Sequence, residues 1–290
     1  MKPTLSPGSL GDYPQSMVRA HFNPMGTTAL VTGASSGLGV GYAHALAERG
    51  ADLVLVARRQ DRLEALAVDL AEKYGATSTV IPLDLSLPDA VPQLVEDLRT
   101  RAISVGSLIN CAGFGTYGNF VDADAQREME QVAVNVGALT ALTHAFLPDL
   151  LKTAISHPHG AALVNVASTA AFQPVPRMAV YGATKAYVLS FTQAIWYETR
   201  RTGLKVTTVC PGPVDTEFFD VALNHDAAFG RFLSVDEVMA TTFDALDRVT
   251  TPLHSISGTQ NAVLARFATL APRRAVVTVT GRMSAPGRTG

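Results

Sequence analysis

Short apolar runs alternating with helix-length segments predict a single α/β domain built on a mainly parallel, doubly wound sheet of about seven strands. Two observations carry this expectation. The apolar runs have little polar alternation, as strands buried on both faces require. The segments between them show helical spacing and are long enough for right-handed crossovers. Helix-length segments exclude a β-solenoid, and the chain shows no internal repeat or low-complexity block.

The elements follow in order. Residues 1–24 hold Pro3, Pro7, Gly8, Gly11, Pro14 and Pro24 without periodicity, which predicts a flexible arm, with the domain proper running over 25–290. TALVTG is the first buried strand, and GLGVGYAHALAERG a helix ending at Gly50 as a C-cap. ADLVLVAR is the second strand, followed by a helix with a stripe at Leu63, Leu66 and Leu70. TSTVIPLDL, SLINCAG, AALVNVAS and KVTTVCPG supply strands three to six. Between them lie PDAVPQLVEDLRTR, a long helix from about Ala125 to Leu151, and the helix opening at YGATK. EFFDVALNHDAAFGRFL has no clean period and predicts a substrate flap around 215–234. Ser234 three residues before Glu237 is a capping-box signature for a further helix. The remainder, from Pro252, predicts a last strand, a helix and a tail.

Composition narrows the classes. A formal charge of −2 disfavours nucleic acid and anionic membrane surfaces as partners. The two cysteines, Cys111 and Cys210, each sit in an apolar run, which fits buried thiols in a reducing compartment. No uninterrupted apolar stretch approaches a membrane span, and the N-terminus lacks an apolar signal core, so a cytoplasmic protein is expected. His157 and His159 flank a proline, a pattern that predicts a solvated turn rather than a metal site.

Chemistry begins at TGASSGLG, Thr32 to Gly39, between the first strand and the first helix. Glycines let backbone approach a pyrophosphate, and the helix N-terminus offers free N–H groups. The spacing of Gly33, Gly37 and Gly39 differs from the G-x-G-x-x-G fingerprint but serves the same purpose. Where a ribose-binding acid would favour NAD, the second strand ends in Ala57-Arg58-Arg59. Arginine there pairs with a 2′-phosphate, so NADP(H) is expected over NAD(H). Asp84 and the stretch Asn110 to Gly113 complete a row of strand C-termini, where ligands of such folds bind.

Tyr181 and Lys185 lie one helical turn apart, so phenol and ammonium share a face. A fixed positive charge is expected to lower the phenol from its ordinary value near ~10, making it a proton donor or acceptor at neutral pH. Downstream of a phosphate-binding turn, this pair predicts a nicotinamide-dependent oxidoreductase.

These motifs together resemble the short-chain dehydrogenase/reductase family in its compact branch, over roughly Thr28 to Phe218. Within it the chain is most similar to the bacterial ketoacyl-reductase-like or DltE-like subgroup, with its ARR-x-x-x-L signature. The resemblance implies a Rossmann-type fold. It implies Tyr181 as general acid/base, Lys185 as the group tuning it and holding the nicotinamide ribose, and Ser168 orienting the substrate oxygen. Asn135 would kink its helix and hold a water linking the lysine to solvent. Cofactor contacts are implied for Gly33, Ser35, Ser36, Gly37, Leu38 and Gly39, for Arg58 and Arg59, and for Asp84 and Leu85. They are implied also for Asn110, Ala112 and Gly113, for Tyr181 and Lys185, and for Pro211, Gly212, Val214 and Thr216. Three positions depart from the family pattern: Cys111 replaces a second asparagine, Ala167 a serine, and Ala171 a glycine.

Phe114, Tyr117, Phe172, Val175, Val214, Phe218 and Phe219 predict an apolar pocket and hence a lipophilic ketone or 3-oxoacyl substrate. The competing class is a silent NADP(H)-binding sensor or scaffold, which would commonly lack the Tyr/Lys pair present here. An epimerase or dehydratase on the same fold would need a larger C-terminal domain. Val188, Leu189, Phe191, Ile195 and Trp196 make the helix after Tyr181 apolar on more than one face, which predicts a homodimer or homotetramer.

Overall fold

The structure, a computed structural model, describes residues 21–218 and 231–285. Seven parallel strands lie in the order β3-β2-β1-β4-β5-β6-β7. They are β1 (Thr28–Thr32), β2 (Asp52–Ala57), β3 (Ser78–Pro82), β4 (Val105–Asn110), β5 (Ala162–Val166), β6 (Lys205–Cys210) and β7 (His254–Ile256). Helices α1 (Gly37–Glu48), α2 (Gln60–Tyr74) and α3 (Ala90–Thr100) follow the first three strands. Then come α4 (Ala125–Val132), α5 (Leu139–Ser156), α6 (Ala179–Thr199), α7 (Val235–Leu246), α8 (Thr259–Leu270) and α9 (Arg273–Met283).

The apolar strands fill two cores because successive side chains point to opposite faces. Val31, Leu55, Val164 and Val209 pack on one side with Tyr42 and Leu46 of α1, Leu63 and Leu70 of α2, and Phe243 of α7. Leu30, Val54, Leu108 and Leu163 pack on the other with Leu94 of α3 and Leu142, Phe146 and Leu150 of α5. Each fully buried leucine, such as Leu30 or Leu108, contributes about 1.5–3 kcal/mol. The order β3-β2-β1-β4 reverses direction at β1, which opens a crevice beyond the C-terminal ends of β1 and β4.

Three expectations are revised. Residues 1–20 of the expected arm lie outside the described residues, but Phe22 belongs to the folded body. It is 2% exposed, its N–H donates to Asp247 Oδ1, and its carbonyl accepts from Arg49 Nη1. The long helix is two helices joined by a π-helical turn over Ala133–Ala138. The run Ala125–Ser156 is long and apolar enough to cross a membrane, with mean hydropathy 1.2, yet its apolar face packs on β4 and β5. The expected tail is a helix, α9. Much of the expected flap, 219–230, lies outside the described residues, Phe219 with it.

The capping box is formed: Ser234 Oγ accepts from Glu237 N, and Glu237 accepts from Ser234 N. The apolar excess of α6 is largely taken up within the chain. Val188 is fully buried, Ile195 and Trp196 pack on the second core, and Trp196 Nε1 donates to Thr251 O.

Candidate active site

The glycine turn is shaped by close approach. Gly33 has φ +68°, and a Cβ on it would lie 3.0 Å from Ala112 N. A Cβ on Gly39 would come within 2.1 Å of the Gly33 carbonyl, so only glycine lets α1 start there. Thr32 Oγ1 accepts from Cys111 N and Ala112 N, both at 3.0 Å, and so ties the end of β1 to the end of β4. Ser36 takes the N-cap position without a side-chain cap, so no capping side chain stands between an anion and the N-terminus of α1.

This turn forms one end of a crevice of about 700 Å³. Gly33, Ser35, Ser36, Gly37, Leu38, Gly39, Arg58, Arg59, Asp84, Leu85, Ala112 and Gly113 line it. Ser168, Tyr181, Lys185, Pro211, Gly212 and Val214 line it as well, and Thr216 does so where it packs against Gly37 of the turn. A tight glycine cradle, an uncapped helix N-terminus and cationic side chains at the end of β2 fit a dinucleotide.

Asp84 Oδ1 accepts from Ser86 N and Oγ at 2.9 and 2.8 Å. Partial burial would raise its carboxyl, but these bonds and the charges of Arg58 and Arg127 hold it below the usual range. Arg59 donates to Ser35 Oγ and to the Ser35 carbonyl.

Asn110 is not in the crevice. Its side chain is buried beneath it, donating to Asn165 Oδ1 at 2.9 Å and Thr143 Oγ1 at 3.1 Å, while Asn165 Nδ2 donates to Thr192 Oγ1. As the last residue of an interior strand it faces the neighbouring strand and helix, not the opening.

Tyr181 and Lys185 open α6 and do share a face: Lys185 Nζ lies 5.7 Å from the Tyr181 ring centroid. Both are buried, at 8% and 6% exposed. The expected lowering of the phenol is not found. Burial pushes Tyr181 up to about 12, with a hydrogen bond to Ser168 pulling the other way. Burial likewise drives the Lys185 ammonium down to about 8, and Nζ donates to the Val166 carbonyl at 2.8 Å. In so dry a site the cost of carrying charge outweighs the attraction that spacing alone predicts. Ser168 begins a 3-10 turn, and its Oγ accepts from Ala170 N at 3.1 Å.

Asn135 sits within the π-helical turn, 1% exposed. Its Oδ1 accepts from Phe114 N at 3.1 Å, and its Nδ2 donates to Phe114 O at 2.9 Å and Thr184 Oγ1 at 3.1 Å. Val175, Met178 and Phe218 line the crevice beside Tyr181, with the Phe218 and Tyr181 rings 5.4 Å apart, and Phe114 and Val214 line it too. Phe172 instead enters the core against His254, and Tyr117 donates its hydroxyl to Ser284 O.

Residues that motif reading missed come from the C-terminal helices. Leu264 and Phe267 of α8 and Val276, Val279 and Met283 of α9 form much of the crevice's apolar wall, with Asn261 of α8 a polar member of the lining. Asn261 Nδ2 packs so close to Gly212 that a Cβ there would lie 2.3 Å away. Arg177 Nη1 fastens α9 by donating to Gly281 O and Ser284 Oγ. His157 and His159 stand exposed in the turn after α5.

Comparison with known proteins agrees with this geometry. The short chain dehydrogenase family model matches residues 27–226. Sulfoacetaldehyde reductase 2 of Chromohalobacter salexigens is 34% identical, over 80% of this chain and 84% of that protein. A short-chain dehydrogenase from Sphingobium yanoikuyae, solved in complex with NADPH, is 34% identical with a TM-score of 0.74, covering 91% of this chain and 97% of its own. The bulky-bulky ketone specific alcohol dehydrogenase from Comamonas testosteroni is 31% identical with a TM-score of 0.69, covering 91% and 96%. Since the family model spans more than half of the sequence, the chain belongs to the short-chain dehydrogenase/reductase family of oxidoreductases.

Proposed function

We propose that the protein is an NADP(H)-dependent reductase of lipophilic ketones or 3-oxoacyl groups, working reversibly on the corresponding secondary alcohols. The observation that carries this reading is the convergence of Ser168, Tyr181 and Lys185 on one wall of the crevice that starts at the glycine turn. Arg58 and Arg59, with no acid at the end of β2, support a 2′-phosphate; the S. yanoikuyae relative binds NADPH.

When bound, the nicotinamide supplies the hydride. Ser168 and Tyr181 hydrogen-bond the substrate oxygen and stabilise the charge that develops there. Tyr181 passes its proton to that oxygen in reduction and takes it back in oxidation. Lys185, held by Val166 and buried beside the phenol, steadies the phenolate and offers its ammonium to the ribose hydroxyls. Burial keeps the phenol protonated at neutral pH, the form that donates in the reduction direction. Asn135 fixes the Phe114 backbone, and Asp84 with Leu85 borders the adenine end.

The substrate class follows from the wall around Tyr181. Val175 and Met178 cluster with Tyr181, with Tyr117 and Phe218 packed against them, and α8 and α9 extend that apolar surface.

Turnover of NADPH against a panel of ketones tests the reading. Tyr181→Phe should abolish it while leaving NADPH binding largely intact; full activity in that variant would overturn the assignment.

A further inference from the structure

We propose that Glu217 is a cofactor-specificity residue: its carboxylate occupies the arginines that would receive a 2′-phosphate and so weakens the crevice's preference for phosphorylated dinucleotide. The inference rests on the NADP(H) reading above and deepens it.

Glu217 Oε2 accepts from Arg59 Nη1 at 2.8 Å, and Oε1 accepts from Arg62 Nη1 at 2.6 Å. One carboxylate therefore bridges two guanidinium groups at the end of the crevice where β2 meets α2. Arg59 is already positioned by the phosphate turn, through Ser35 Oγ and the Ser35 carbonyl. Its remaining N–H group meets an acid that comes from the opposite half of the chain. Thr216 holds that acid in place: it sits against Gly37, where a Cβ would lie 2.8 Å from Thr216 Cγ2.

Carboxylate and phosphate offer a guanidinium the same kind of paired oxygen acceptors. A 2′-phosphate entering here meets a site whose positive charge is partly cancelled, by a group directed at the same N–H donors. It must displace Glu217 or bind beside a like charge. Either way, affinity for the phosphate falls below what Arg58, Arg59 and Arg62 would give unopposed. An unphosphorylated ribose meets no such repulsion, because it brings no 2′ charge to compete for these arginines. Discrimination is thus set by a repulsive element as well as an attractive one.

The test is calorimetric titration of the full chain with 2′,5′-ADP and with 5′-AMP, which differ only in the 2′-phosphate. Glu217→Gln keeps the side chain's shape and removes its charge. At low ionic strength it should bind 2′,5′-ADP about threefold tighter or more, with 5′-AMP unchanged, and the gain should shrink in high salt. Glu217 is a surface side chain, 43% exposed, so the variant is expected to fold as the parent does, which a matching melting temperature would establish. A Glu217→Gln protein that binds 2′,5′-ADP no tighter than the parent overturns the proposal and makes Glu217 a support for Arg59. Failure of the NADP(H) reading has a different signature: Arg58→Ala and Arg59→Ala would leave 2′,5′-ADP binding unchanged.

Discussion

Replacing Asn135 with alanine separates a structural joint from a mere conduit for protons. The carboxamide makes three hydrogen bonds, two to the Phe114 backbone and one to Thr184 Oγ1, and is 1% exposed. At about 1 kcal/mol net for each, their loss destabilises the fold by about 3 kcal/mol. Unpaired Phe114 backbone groups push the figure upward rather than down. Thr184→Val removes a single partner of Asn135 together with the bond from Thr184 Oγ1 to Tyr181 O, and should cost about 1–2 kcal/mol. Urea unfolding of the full chain reads both, at one fixed protein concentration because association shifts the midpoint. The expected order is Asn135→Ala, then Thr184→Val, then the parent. An Asn135→Ala protein within about 1 kcal/mol of the parent would refute the reasoning, since the π-helical turn would then hold without its amide.

Two further outcomes follow from the site's surroundings. Burial places Lys185 at about 8, below its ordinary 10.5, so between those values the unfolded chain keeps a proton that the folded chain has released. Stability contributed at this position therefore rises as pH climbs from about 8 to 10.5. The parent should gain on Lys185→Met across that window in pH-dependent melting, and a constant gap between them would contradict it. Arg177→Ala removes the donor holding the end of α9. Amide exchange over Arg273–Met283 should quicken and KM for an apolar ketone rise; unaltered exchange would show α9 docked by other means.

Much of this architecture was legible in the sequence because it depends on local pattern. Buried strands need unbroken apolar runs, and a turn with no room for a Cβ needs glycine, so TGASSGLG and the strands flanking it could be read directly. The unread parts depend on distance. The segment AVVTVT is rich in β-branched residues and gives little helical signal; it becomes α9 because Val276 buries in the crevice wall and Arg177 and Tyr117 hold its end. Phe22 follows a proline-rich stretch, and its burial in the core that holds Phe243, with its backbone bonds to Asp247 and Arg49, draws it into the fold. The spacing of Tyr181 and Lys185 gave their shared face correctly. It could not reveal how dry that face is, and dryness reverses the direction in which the phenol shifts. Glu217 and Arg59 are far apart in sequence, and opposite charge alone did not mark them as partners.

The buried amide pair below the crevice has a mechanical consequence. Asn110 stands directly opposite Asn165 in the β4–β5 ladder. Sliding either strand by one place would set each carboxamide against an aliphatic neighbour such as Val164, at a cost of a few kcal/mol for stranded polar groups. Gly113 and Ser168 each lie three residues beyond one of those asparagines. The two walls of the opening therefore keep their alignment through a vernier hidden inside the sheet, one that loop motion above it does not disturb.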